Sequence, residues 1–95
     1  MLLQIGQIVY SRAGRDNNGS PFVVVALEGD YAYIVNGKSR PLTRAKKKKA
    51  RHIQPTNNID QDLVVKLTSG ACINDAEIVK ILKAYKPESK EVMHV

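Results

Sequence analysis

The hydrophobic positions along the chain change period close to residue 55. Before it they come in short runs broken by glycine, asparagine and proline, and after it they recur every three or four residues. Short β-branched runs between turn residues predict strands, and the longer period predicts amphipathic helices. Residues 5–11 are the first predicted strand. The RAGRDNNGSP that follows holds two glycines, two asparagines and a proline, so no core strand passes through it. The second strand is 22–27, FVVVAL, whose unbroken apolar character fits a strand covered on both sides or wrapped around a small barrel. Glu28-Gly29-Asp30 turns the chain into a third strand at 31–35. Asn36-Gly37 is a strong hairpin signal, because both residues tolerate positive φ, and it predicts a fourth strand at 38–42. Pro41 confines that strand to an edge. After a lysine run, 50–54 supplies a short fifth strand anchored by Ile53. Five short antiparallel strands suit a closed or nearly closed small barrel, which removes exposed sheet edges. Parity does not assign the faces of the first two strands, since both are partly apolar.

In the second part Ile59, Leu63, Val64 and Leu67 have helical spacing, with a helix start at 58–61 and a break at Thr68-Ser69-Gly70. Asn74 and Glu77 have the spacing of a capping box. Ile78, Val79, Ile81, Leu82 and Tyr85 then form one apolar face, while Lys80, Lys83 and Lys86 lie elsewhere and suit the C-terminal end of the helix dipole. Pro87 ends that helix, and the last eight residues are expected to fray. The expected organisation is a β-barrel at 1–55 and a C-terminal helical extension with a frayed tail at 56–95.

Composition narrows the class. A chain of 95 residues is one small domain with a modest core, which leaves little room for a large cofactor. The single Cys72 cannot form an internal disulfide and fits a reducing compartment. No apolar run approaches the roughly 20 residues of a membrane span. The opening MLLQIGQIVYS lacks a basic region and a long apolar segment, so no signal peptide is expected and the expected location is cytoplasmic.

Charge changes the picture more. The net charge is +6, which points to an anionic partner. Residues 1–54 hold ten Lys or Arg against three acids, whereas 55–95 hold five against six. Binding chemistry is therefore expected in the first part. Its centre is RAKKKKARH at 44–52, with Arg44, Lys46, Lys47, Lys48, Lys49 and Arg51. In an extended strand Lys46 and Lys48 face one way and Lys47 and Lys49 the other. A covered strand would bury one pair at high cost, so the run is expected in an exposed loop or edge, held by Leu42 and Ile53. A nuclear localisation signal and a solubilising loop are the alternatives to a grip on RNA. Four adjacent lysines repel one another, and a solubilising loop would mix signs. Lysines on phosphates give affinity with little sequence choice.

Arg12 and Arg15 bracket Gly14, with Asn17 and Asn18 nearby, and arginine holds phosphate bidentately or stacks on a base. Lys38 and Arg40 would share a face of strand four. Tyr31 and Tyr33 share a strand face with Val35, and stack bases if that face meets solvent. Otherwise they pack with a wet hydroxyl.

The stretch GQIVYSRAGRDNNGSPFVVVALEGDYAYIVNGKSRPL resembles the KOW motif, and the continuation RAKKKKARHIQPT is similar to the end of small bacterial KOW-domain RNA-binding proteins. These are similar in turn to KOW-bearing large-subunit ribosomal proteins of the fourteen-e type. The resemblance covers about residues 4–56, with Gly14 and Gly19 at the loop glycines. It implies a mainly β fold, a small SH3-like five-stranded antiparallel barrel, that binds RNA in or near the ribosome. The resemblance also admits ribosomal or transcription proteins as partners, because KOW-type barrels of elongation factors bind proteins.

No enzyme is expected. Gly14 to Ser20 has the glycine spacing of a P-loop but lacks its lysine and runs into a strand. Asp16 and Asn18 lack the rest of a calcium loop. Cys72, His52 and His94 lack metal-ligand spacing, and Cys72 reads as a small buried residue. The expectation is a cofactor-free RNA-binding protein, holding structured, ribosomal RNA on a basic barrel face. Its alternative is a protein-interaction module using the barrel or the C-terminal helix.

Overall fold

The computed structural model describes residues 3–12 and 19–85. Gly14, Arg15, Asp16, Asn17, Asn18, Lys86, Pro87 and His94 lie outside the described residues. Five antiparallel strands form one sheet: β1 (Gln7–Ser11), β2 (Pro21–Glu28), β3 (Tyr31–Val35), β4 (Lys46–Lys49) and β5 (Ile53–Ile59). Two helices follow, α1 (Gln61–Ser69) and α2 (Asp75–Ala84). The strand order is β4-β3-β2-β1-β5, so the last two strands are the two edges.

Those two edges are joined by only three residues, Ala50–His52, in a 3-10 turn. A flat five-stranded sheet would hold its edges about 19 Å apart at the usual strand spacing, far beyond the roughly 6 Å that three 3-10 residues rise. The sheet must therefore curl. Bulges near Gln7/Val9 and Val24/Ala26 bend it. The corner is tied by the Ala50 amide donating to the Asp30 carbonyl (2.8 Å) and the Arg12 amide donating to the His52 carbonyl (2.7 Å). Curling does not complete a ladder: β4 and β5 are not paired, so the sheet is open.

The strand count agrees with the sequence reading, but the last two strands are displaced. Residues 38–42 are not a strand. The Asn36 carboxamide accepts from the amides of Lys38 (2.9 Å) and Arg40 (2.8 Å), which folds that segment into a turn. Pro41 leads into a 3-10 turn, Leu42–Arg44, anchored where the Leu42 amide donates to the Asp75 carboxylate (2.8 Å). The partner of β3 is instead the lysine run, with Tyr31 opposite Lys49 and Ile34 opposite Lys46. Residues 50–52 likewise form the connecting turn, and β5 extends through Asn58 and Ile59, where the spacing predicts a helix start. The helix begins one step later because the Asp60 carboxylate caps the Leu63 amide (2.9 Å).

The unbroken apolar β2 is explained by two cores. Phe22 and Val24 join Val9, Ala32, Ile34 and Ile53 on the face enclosed by the curl. Val23 joins Ile8, Val35, Leu63 and Ile78 on the opposite face, which the helices cover. The expected face of α2 is used here, with Ile81, Leu82 and Tyr85 packed around buried Ile78. The predicted cap is present, the Asn74 side chain accepting from the Glu77 amide at 3.0 Å. Lys66 of α1 bridges to Glu77 of α2.

α2 closely approaches the turn after β3 at Gly37, whose φ is +78° and where a Cβ would sit 2.7 Å from the Asp75 carbonyl oxygen and 2.8 Å from Val79 Cγ2. Gly29 has φ +57° but opens onto free space. Gly37→Ala should therefore lower unfolding stability by about 2–4 kcal/mol, and Gly29→Ala by about 1–2 kcal/mol, since only the first adds overpacking to the left-handed backbone. Urea denaturation of both variants measures the difference, and equal losses would contradict the packing described.

Candidate nucleic-acid interface

An edge strand of lysines is tolerated because its two faces meet different surroundings. Lys48 lies opposite Ala32 and Lys46 opposite Ile34, both core residues of β3. Lys48 is only 8% exposed. No buried side-chain nitrogen or oxygen among the described residues lacks a partner, so the Lys48 stem packs without leaving its ammonium both sealed and unpaired. The strand is thus an exposed edge whose parity still buries one lysine stem. Lysines on that edge also discourage pairing with another chain.

On the other face Lys47 pairs with Tyr33 and Lys49 with Tyr31. The Lys47 ammonium lies 4.8 Å from the centroid of Tyr31 and 5.9 Å from that of Tyr33, and Lys49 lies 5.9 Å from Tyr31. Both tyrosines are partly exposed, while Val35 on the same face is buried beneath the helices. Tyr31 and Tyr33 thus sit on the part of this face left open to solvent. Two rings interleaved with two ammonium groups offer flat surfaces for bases and point charges for phosphates.

Glu28 closes one side of this cluster. Its carboxylate accepts from the Tyr33 hydroxyl at 2.8 Å and lies 3.2 Å from the Lys47 ammonium. Those two partners, Tyr33 first, hold the Glu28 carboxyl below its ordinary value. The hydrogen bond to Glu28 raises the Tyr33 phenol, and the same carboxylate raises Lys47.

Around the corner lies a cleft of about 460 Å³. Arg12, Lys49 and Arg51 supply its cations, Leu3, Ala50, Ile53 and Pro55 its apolar surface, and Asp30 and Gln54 its remaining polar groups. Four stretches build it: Leu3 ahead of β1, Arg12 just past the end of β1, Asp30 in the β2–β3 turn, and the β4–β5 connection with the start of β5.

Of the basic residues picked from sequence, Arg12, Lys49 and Arg51 converge on this cleft, and Lys47 adjoins the tyrosines. Arg44 is exposed at the end of the 3-10 turn leading into β4. Lys38 and Arg40 do not share a strand face, because they belong to the Asn36 turn beyond the opposite end of β3. Lys38 there borders a smaller groove with Lys83, Pro21 and Leu82. Arg15, Asn17 and Asn18 lie outside the described residues. Sequence reasoning missed Glu28, Asp30, Gln54 and Pro55. The turn signal at Glu28-Gly29-Asp30 is visible in the chain, but nothing in the periodicity places it beside the β4–β5 connection. Cys72 is exposed, contrary to the expectation of burial, because it lies in the link between the helices. Among the described residues no group of three metal-binding side chains is found, and no helix is long and apolar enough to cross a membrane.

The Glu28 contact has a definite pH signature. A lowered carboxylate contributes its stability fully above its unfolded value and loses it as pH falls through the lowered folded value. The raised Tyr33 and Lys47 contribute below their unfolded values and lose that contribution as pH rises through the folded ones. Glu28→Gln should shift the Tyr33 titration to lower pH, as followed by the NMR shift of its ring Cζ. An unmoved midpoint would contradict the contact.

No protein-family model matches the sequence, and no curated protein matches it significantly.

Proposed function

We propose that this protein binds RNA without catalysing a reaction, and that it acts in or beside the ribosome in the cytoplasm, contacting structured RNA through the β3–β4 face and the adjoining corner. The observation that carries this reading is the interleaving of Tyr31 and Tyr33 with Lys47 and Lys49 on an open sheet face. Solubility alone does not call for cations held against partly exposed aromatic rings. Stacking and phosphate attraction both do. The second support is placement: Arg12 and Arg51 continue the positive surface around the corner from Lys49. The third is the resemblance of residues 4–56 to the KOW motif, whose implied SH3-like frame fits a curled five-stranded antiparallel sheet.

The alternative is a protein-interaction module using the barrel or the C-terminal helix, and its helix form is less well supported. The apolar face of α2 already covers the second core through Ile78, Ile81 and Leu82. A partner reading that face would have to displace the helix from its own sheet.

On this reading affinity comes mostly from phosphates and is salt-dependent, with modest sequence choice. The lysines do not contribute alike. Lys47, Lys49 and Arg51 are exposed, whereas the Lys48 stem serves packing. Lys47→Ala, Lys49→Ala and Arg51→Ala combined should weaken binding to a structured ribosomal RNA fragment. For every phosphate no longer neutralised, the slope of log K against log salt should fall by roughly 0.7–0.9. Tyr31→Ala with Tyr33→Ala should weaken binding while leaving that slope nearly unchanged, because stacking releases no counterions. Filter binding across a salt series separates the two effects. Unchanged affinity and slope in the basic triple variant would overturn the proposal.

A further inference from the structure

A phosphate backbone can be held by a flat or convex basic surface, yet the corner between β4 and β5 is concave. Its floor includes Ile53, a member of the enclosed core, and Leu3, which packs against that core. The cleft therefore combines cations with an apolar surface that inorganic phosphate alone cannot use. Its volume of about 460 Å³ lies within the range of small-molecule sites. It is also preformed. Backbone hydrogen bonds from Ala50 to Asp30 and from Arg12 to His52 fix Arg12, the β2–β3 turn and the β4–β5 connection relative to one another.

We infer that this cleft takes a single unpaired nucleotide of an RNA, its phosphate on Arg12, Lys49 and Arg51 and its base against Leu3 and Pro55. The inference rests on the RNA-binding reading above and adds the kind of RNA. A base inside a duplex would first have to unpair and leave its stack to lie on this floor, so a bulge, loop or strand end is strongly favoured. Among the described residues Asp30 is the one carboxylate in the lining. It repels a second phosphate and accepts hydrogen bonds from base-edge N–H groups. Guanine presents two such donors side by side on its Watson–Crick edge, which makes guanosine the favoured nucleotide. Gln54 adds a carboxamide whose contact to the Pro55 carbonyl, at 3.4 Å, is long enough to be exchanged for a base.

Two arms test this on the full chain. In the first, GMP, CMP and inorganic phosphate are titrated separately and backbone amide shifts are followed by NMR. GMP should give saturable shifts at Arg51, Ile53 and Gln54, larger and more extensive than phosphate gives. Arg51→Ala should weaken GMP binding about tenfold, and Asp30→Asn should reduce the preference of GMP over CMP, while Lys80→Ala on α2 changes neither. GMP shifts no more extensive than those of phosphate would overturn the inference and leave only an anion patch. In the second arm, a hairpin with one bulged guanosine is compared with a fully paired hairpin of equal length. The bulged RNA should bind about tenfold more tightly, the scale of one stacked base. Equal binding of the two hairpins would overturn the unpaired-nucleotide inference while leaving RNA binding intact. Saturable GMP binding with no binding of either hairpin would support a nucleotide cleft and overturn the RNA reading on which this one is built.

Discussion

The structure depends on one constraint: a sheet that is apolar on both faces has to be covered twice. Phe22 and Val24 point to one side and Val23 to the other, and all three are buried. A five-stranded sheet this small cannot close a second sheet over itself. It curls to enclose the first face, and two helices cover the second. Burying these side chains is the main favourable term available to a domain of this size, at about 1.5–3 kcal/mol for each fully buried large apolar side chain. The helical segment is thus part of the fold's core rather than an appendage, which is why β5 runs directly into the Asp60 cap and Gly6 sits against Val64.

The curl decides where the charges go. Because Ala50–His52 must bridge the two edge strands, Lys49 and Arg51 are carried to the mouth of the enclosed core, beside Arg12 at the end of β1. The helices stop short of the Glu28 end of the other face, and the tyrosines stay open there between lysines. Positive charge is held there by neighbours in fixed geometry instead of being spread along a mobile loop. Glu28 moderates it, taking Lys47 and the Tyr33 hydroxyl at once. On the RNA-binding proposal, a phosphate near Lys47 would have to compete with that carboxylate.

Much of this is legible in the chain. The period change near residue 55, the turn glycines, the Asn74–Glu77 cap and the Ile78 to Tyr85 face each reflect local physics: backbone sterics, amide satisfaction and helical spacing. The number of strands and the parity of the lysine run are legible for the same reason. The displaced strands also have local explanations. Asn36-Gly37 carries a hairpin signal, yet the Asn36 carboxamide captures two downstream amides and delays the return strand by eight residues, from Lys38 to Lys46.

The sequence by itself determined the fold class, the basic first part and the residue types available for binding phosphate and bases, since these follow from composition and near-neighbour spacing. Only the tertiary structure decided which face of β3 stays open, which lysine gives up its stem to packing, and which cations meet at the corner. Those outcomes depend on contacts between segments far apart in the chain: Lys48 on Ala32, α2 over Val35, Arg12 tied to His52. No local pattern encodes them, because each is set by how the sheet curls to bury both its faces.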